Sequence, residues 1–254
     1  MALNLITKNA LKELHTSKSE FADARREDAL EKFNSIPMPK EKDEDWRYTE
    51  IEKLKPEHFA PFESNTIITT TDLSEDLARQ GVILSDINSA MEKYPATLNY
   101  FFKGTEIDKD KFVALSAAHF AHGYFLYIPK NLEIKEPIRI NLNVEGKSSV
   151  LHNLVIIEPN SQADVIEEYT NKDIGDEQLN ACITEVFANT NSRINFYHMN
   201  NWTKNVYSFT NLIGTAERNS SINWISGCFG GKLNRLRIDT NFNGQGSNCS
   251  NLGI

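Results

Sequence analysis

Cysteine is scarce: the 254 residues carry three, Cys182, Cys228 and Cys249, an odd number with wide spacing. That pattern excludes a disulfide framework and any Cys-x-x-Cys metal pair, and it fits reduced thiols in a cytosol. A basic excess is also missing. The formal net charge is -8 and no basic run is visible, so a nucleic-acid partner is not expected, because proteins that neutralise a phosphate backbone carry a basic face. No apolar stretch approaches the roughly 20 residues needed to cross a bilayer, so no membrane span is expected. The N-terminal stretch MALNLITKNALKELHTSK has no basic segment followed by an apolar one, which removes the usual sign of secretion. The glycosylation-type triplets at Asn201, Asn219 and Asn248 are then chance matches, and the expected location is cytoplasmic.

What is present is ordinary for a chain with a real core: 40% hydrophobic and 24% charged residues, enough for one large domain or two smaller ones. The texture changes near Gly123. Over 1–122 apolar residues recur at helical spacing. Ser19 to Ile36 reads as an amphipathic helix with Phe21, Ala22, Ala29, Leu30 and Phe33 near one face, stopped by Pro37. Asp72 to Gln80, Asp86 to Lys93 and Asp108 to His122 read as further helices, with Asp72 and Asp86 as N-caps. Over 123–254 short runs rich in β-branched residues take over, broken by Asn, Ser and Gly. They are Tyr124 to Ile128, Ile138 to Val144, Leu154 to Ile157, Val165 to Tyr169, Ile183 to Ala188, Ile194 to Met199, Phe209 to Gly214, Ile222 to Ile225 and Leu233 to Phe242.

Those runs contain a repeat. Asn160-Ser161-Gln162-Ala163, Asn191-Ser192-Arg193-Ile194, Asn219-Ser220-Ser221-Ile222 and Gly246-Ser247-Asn248-Cys249 open four similar units, with serines stepping by 31, 28 and 27 residues. A step of this size in all-β texture marks a solenoid. Asn suits the turn because it tolerates left-handed backbone and bonds locally. Ala163, Ile194, Ile222 and Cys249 should then stack inward from coil to coil. An antiparallel sandwich would turn about every 8 to 12 residues, and a hexapeptide-type left-handed helix would show a six-residue beat; neither fits as well.

Three stretches, taken in order, carry a family resemblance. The first is Pro37-Met38-Pro39 leading to Asp45-Trp46-Arg47-Tyr48-Thr49. The second is Ala114-Leu115-Ser116-Ala117-Ala118, followed by Gly123 to Lys130 and Glu136 to Ile140. The third is His152 to Glu158, running through Asn160-Ser161 to Ile166-Glu167-Glu168-Tyr169. Together they resemble the SufB/SufD family, scaffold components of the SUF iron–sulfur cluster assembly machinery, and the Asp-Trp-Arg-Tyr-Thr segment leans toward its SufD branch. The resemblance implies a mainly β fold: a right-handed parallel β-helix (solenoid) preceded by an α-helical or α+β region. It also implies a complex with SufB-like and SufC-like proteins, the latter an ATPase. In the family, the parts that dock the ATPase and are tied to cluster assembly lie later than position 254, so no residue here inherits those roles. The chain is expected to stop inside the solenoid, and its last coil to present an open strand edge that invites association or homodimer formation.

Several individual residues are of types that can carry chemistry. Cys249 falls in an inward slot and suits packing; Cys182 and Cys228 are read mainly as packing thiols, with sulfur or metal handling as the alternative. His119 and His122 share helical i, i+3 spacing, but no Glu completes a metalloprotease pattern. His152 and His198 sit in strands. Trp46, Arg47 and Tyr48 could anchor an interface, although Trp46 pinning its loop to the helical region is simpler. Gly230-Gly231-Lys232-Leu233 is not a phosphate loop, because a Walker motif needs Gly at Ser226 and Ser or Thr at Leu233. The expectation is therefore a non-enzymatic scaffold with no catalytic, cofactor-binding or metal-ligating residues of its own, whose complex handles iron–sulfur clusters. The rivals are a carbohydrate-active β-helix enzyme, disfavoured by the paucity of acids after Asn191, and a purely structural repeat protein, which would not need a helical N-terminal region.

Overall fold

Strand residues that alternate in and out build one half of the molecule, and strands buried on both faces build the other. The computed structural model describes residues 20–54, 56–59, 65–70 and 73–254. Twelve strands follow in chain order: β1 Asn65–Thr70, β2 Ile83–Asp86, β3 Tyr124–Ile128, β4 Ile138–Glu145, β5 Ser148–Ile157, β6 Gln162–Asn171, β7 Gln178–Ala188, β8 Arg193–Trp202, β9 Val206–Ala216, β10 Ser221–Gly230, β11 Leu233–Phe242 and β12 Asn248–Gly253. They form two six-stranded sheets, ordered β1-β4-β6-β8-β10-β12 (the open sheet) and β11-β9-β7-β5-β3-β2 (the covered sheet). From β3 on, successive strands alternate between the sheets and pair in parallel with the strand two places on, giving a β-solenoid of about five turns. At the N-terminal end β1 pairs antiparallel with β4, and β2 antiparallel with β3. Those two strands cover edges that would otherwise offer unpaired backbone groups. At the other end β11 and β12 each have one neighbour, and Phe229, Phe242, Leu252 and Ile254 are exposed there.

The expected inward column is present: Ala163 pairs with Ile194, Ile194 with Ile222, and Ile222 with Cys249. At the turns before β4, β6, β8 and β10, Asn131, Asn160, Asn191 and Asn219 all take φ near +60°. The amides of Asn160, Asn191 and Asn219 each donate to the side-chain oxygen of the asparagine one coil earlier, at 2.9, 3.0 and 3.2 Å. Gly246 holds the next rung at φ 76°, and a Cβ there would lie 2.4 Å from the Asn219 oxygen. The serines Ser192, Ser220 and Ser247 close their turns by donating to the carbonyls of Asn189, Glu217 and Gly244. Asn131 begins an earlier coil that the repeat pattern hides, because Leu132 stands where the serine would be. The next coil's Ser161 serves that turn instead, accepting from the Leu132 N–H at 3.0 Å.

Among the described residues four α-helices accompany the solenoid: α1 Glu20–Ser35, α2 Glu75–Arg79, α3 Ile87–Lys93 and α4 Lys111–His119. Helix α1 buries Ala22, Ala29, Leu30 and Phe33 as expected; Ser19 and the Phe21 side chain lie outside the described residues. Its C-terminal carbonyls at Phe33 and Ile36 accept from the Lys111 ammonium at 2.6 and 2.8 Å, a cation placed where the helix dipole is negative. Asp86 caps α3, accepting from Asn88 and Ser89. The N-cap of α2 is Ser74, which accepts from Leu77; Asp72 lies outside the described residues. Helix α4 is shorter than the expected Asp108–His122 span because Asp110 caps it, and the chain leaves it at Phe120. His122 is therefore not on the helix. It forms a parallel bridge to Leu151, and the i, i+3 histidine pair does not exist as a helical face.

Leu77 of α2 packs against the core between the sheets, whereas helices α1, α3 and α4 and the loops between them pack on the outer face of the covered sheet. Their core unites Leu30, Phe33, Trp46, Phe101, Phe112 and Leu115 with Val150, Ile183, Phe187, Phe209 and Ile213 of the strands. A second core fills the solenoid between the sheets, with Leu126, Ile140, Val155, Val165, Val186, Phe196 and Trp224 among its members.

Candidate functional site

The interior is not uniformly apolar. In β6 the alternation that turns Ala163 and Val165 inward also turns Glu167 and Tyr169 inward, and Glu167 is completely buried. A carboxylate there would be intolerable unpaired. Its Oε1 accepts from Tyr124 at 2.9 Å, Asn153 at 2.9 Å, Thr184 at 3.0 Å and Tyr169 at 3.3 Å. Its Oε2 lies 2.6 Å from His198 Nδ1. The Tyr124 backbone N–H donates to Asn153 Oδ1, which fixes the orientation of that amide. Cys182 joins the cluster, its sulfur 2.9 Å from the Tyr169 hydroxyl. Burial first, then the neighbouring Glu167 charge, pushes the Cys182 thiol well above its ordinary range. Tyr124 and Tyr169 are likewise held neutral, chiefly by burial. The cluster is thus a polar knot of one carboxylate and its donors; Cys182 enters it as a neutral thiol, not as a thiolate ligand. Beyond it toward β11, His198 Nε2, Asn180 Oδ1, Asn200 Oδ1 and Thr210 Oγ1 are buried without a partner among the described residues.

A second buried carboxylate faces the opposite way. Glu185 of β7 points out of the solenoid into the helical layer, where it accepts from the Phe102 N–H at 2.8 Å, the Thr105 hydroxyl at 2.9 Å and the Gly104 N–H at 3.3 Å. His152 Nε2 lies 3.0 Å from it, its ring enclosed by Phe101, Phe102 and Phe120. This acid latches the 101–105 loop to the sheet. Arg26 plays a related part, buried over the Phe120 ring at 4.1 Å and donating to the Phe120 carbonyl.

The other singled-out residues resolve individually. Trp46 is buried against Phe112 at 5.5 Å and Phe209 at 6.1 Å, with the Arg235 guanidinium 3.9 Å over its ring. It pins its loop to the solenoid as well as to the helical layer, while Arg47 and Tyr48 stay exposed. Cys228 is half-buried, its thiol raised by burial. Cys249 is half-buried against the interior core, 3.4 Å from Thr240 Oγ1. His119 is buried beside Phe33. Lys232, of the glycine-lysine segment, pairs with Glu177 and lies over Tyr207. Gly230 is there because a Cβ would meet the Trp202 carbonyl oxygen at 1.8 Å. That turn is therefore a packing device, and its lysine is already engaged. Among the described residues no three or more His, Cys, Asp or Glu side chains converge as a metal site, and no helix is long and apolar enough to cross a membrane.

Sequence reasoning missed Glu167 and Glu185 as organisers. Acids in strands read as solvent-facing, and the available signal was parity: Glu167 shares the inward phase of Ala163 and Val165.

Fold and interior together define a two-sheet β-solenoid with a helical facing layer, organised around two buried carboxylates. Residues 140–254 match the family described as "SUF system FeS cluster assembly, SufBD core domain", and residues 3–69 and 60–140 match "SufBD protein N-terminal region". The chain belongs to the SufBD family of iron–sulfur cluster assembly. It is similar to iron–sulfur cluster assembly SufBD family proteins of Staphylococcus epidermidis, Staphylococcus haemolyticus and Staphylococcus aureus, each 24% identical over 198 residues, which cover 77% of this chain and 42% of the relative. The chain thus spans about two fifths of the length of the curated relatives it matches.

Proposed function

We propose that the protein is a non-enzymatic scaffold subunit of SUF iron–sulfur cluster assembly, of the SufD type, working in the cytoplasm with a SufB-like scaffold and a SufC-like ATPase. The observation that carries this reading is the continuous family match through both the helical layer and the solenoid, in family order. The site chemistry is compatible with it. Glu167 and Glu185 are committed to internal hydrogen bonds, the Cys182 thiol is kept neutral by burial, and Lys232 is paired. Nucleotide chemistry would come from the ATPase, whose motion would alter the geometry of the two-scaffold pair where the cluster, as cargo, is built. Two carboxylate-centred latches suit such a role, because a subunit that transmits motion must move as one body.

The test is co-expression of the full-length protein with SufB-type and SufC-type partners. A stable ternary complex is expected on size exclusion, with ATP hydrolysis tracking the ATPase subunit alone. Absence of any complex overturns the reading. A complex that forms only when a SufD-type scaffold replaces the SufB-type one overturns the branch assignment.

A further inference from the structure

On the outer face of the covered sheet, between β3 and β5 and the 3-10 turn Pro95–Asn99, the helical layer leaves a cleft of about 280 Å³. Its walls are aromatic. Tyr94 lies against Phe125 with centroids 6.1 Å apart, Phe125 against Tyr127 at 6.5 Å, and Tyr100 stands as the facing wall, braced edge-on by Phe187. Ile156 contributes to the lining, and one carboxylate, Glu158, completes it. Asn189 donates to Glu158 Oε2 at 3.1 Å. A carboxylate has about four acceptor positions, so this contact orients Glu158 without exhausting it. Among the described residues the lining contains no lysine, arginine or histidine.

Three tyrosines and a phenylalanine around one half-buried acid make a pocket with a single sign of charge. Ring faces are negative, and Glu158 adds a full negative charge. An anion would be repelled, and a neutral apolar molecule would strip water from the carboxylate without replacing its hydrogen bonds. A cation gains from both the faces and the acid. The chain supplies its own precedent in the Lys103 ammonium, which lies 5.6 Å from the Tyr100 ring centre. The volume falls just below the about 300–1,000 Å³ of sites for drug-sized ligands, which limits the occupant to a fragment. Tyr127 is raised above its ordinary range by burial and the Glu158 charge, so it stays a neutral wall. We propose that this cleft binds a monocation on a short apolar stem, an alkylguanidinium or alkylammonium group.

Calorimetric titration of the full chain with n-butylguanidinium tests it, with 1-pentanol and pentanoate as neutral and anionic counterparts. Saturable one-to-one binding of the cation is expected, weakened about ten-fold or more by Glu158→Gln and several-fold by Tyr94→Leu. Equal affinity for 1-pentanol, or no saturable binding of the cation, overturns the proposal, and neither result needs a variant. Unchanged affinity in a Glu158→Gln protein with a native melting profile also overturns it. A Gly-Arg-Gly amide then separates the sources of the cation. Tighter binding than butylguanidinium assigns it to a protein segment and weaker binding to a free small molecule; both bear out the cation pocket.

Discussion

The two sheets of the solenoid face different surroundings outward, and their sequences differ accordingly. In the covered sheet β5, β7 and β9 are buried at every position, because helices α1 and α4 and the Trp46 loop roof their outer face. In the open sheet β4, β6 and β8 alternate buried with exposed or half-exposed residues. Its outer face carries a polar ladder in which Asn195 donates to Asp164 at 2.7 Å, Asn223 to Asn195 at 2.8 Å and Ser250 to Asn223 at 2.7 Å. The inner faces are alike. What separates the two patterns is coverage, so a continuous apolar strand in this repeat reports a neighbour outside the coil.

That contrast can be broken most directly at its largest packing contact. Phe209 stacks on Phe112 with centroids 3.6 Å apart and also touches Trp46. Phe209→Ala is expected to cost about 3–5 kcal/mol in urea unfolding. Tyr197→Ala, on the open sheet's outer face, should cost less than about 1 kcal/mol; similar values would erase the distinction between the faces.

The interior should show itself at alkaline pH. Tyr124 and Tyr169 keep their protons in the folded chain far beyond the pH at which an exposed tyrosine loses its own. Above pH about 10 the unfolded chain therefore binds fewer protons than the native one, and stability falls as pH rises, by up to about 1.4 kcal/mol per pH unit for each tyrosine. Below that pH their contribution is fully present and flat. Tyr169→Phe should flatten part of the alkaline slope in a pH series of unfolding midpoints; an unchanged slope would mean that the interior tyrosines do not set it.

Smaller effects belong to the edges. Asn191→Ala replaces a residue that tolerates φ 60° with one that does not and removes two ladder bonds, an expected loss of about 1–2 kcal/mol. Asn191→Gly should recover the backbone part of that loss. Asn195→Ala, on the solvent face, should cost about 0.5–1.5 kcal/mol in the same assay. In native-state alkylation read by peptide mass, Cys228 and Cys249 should react before Cys182, which should label only on unfolding; early labelling of Cys182 would mean that the interior opens.

Much of this was legible. The Asn-Ser repeat located the turns because left-handed backbone restricts the residues that can stand there, and the runs found every solenoid strand from β3 to β11. The apolar runs start later than the strands β7 and β9 because Asn180 and Ser208 face inward although polar, and an apolar run does not register them. The histidine pair failed for a local reason: Asp110 begins α4 late and Phe120 ends it before His122. The roof over the covered sheet was not legible, because helical periodicity shows that a helix has an apolar face but not which surface receives it. The aromatic cleft was hidden for the same reason, since Tyr94 and Tyr100 meet Phe125 and Tyr127 only once that roof is in place.

The Glu167 knot has a consequence for how the chain acquires its shape. Solenoids are usually described as adding one coil at a time, each stabilised by the one before. Here Tyr124 comes from β3, Asn153 from β5, Thr184 from β7 and His198 from β8, so the carboxylate on β6 lacks its full set of partners until three successive coils have formed. A nascent chain displaying only β3 to β6 would carry an acid in its core without Thr184 or His198 beside it. Elongation is therefore expected to stall at this point and then resume in a single cooperative step once β8 docks, a threshold set midway along a fold whose neighbouring coils could otherwise close independently.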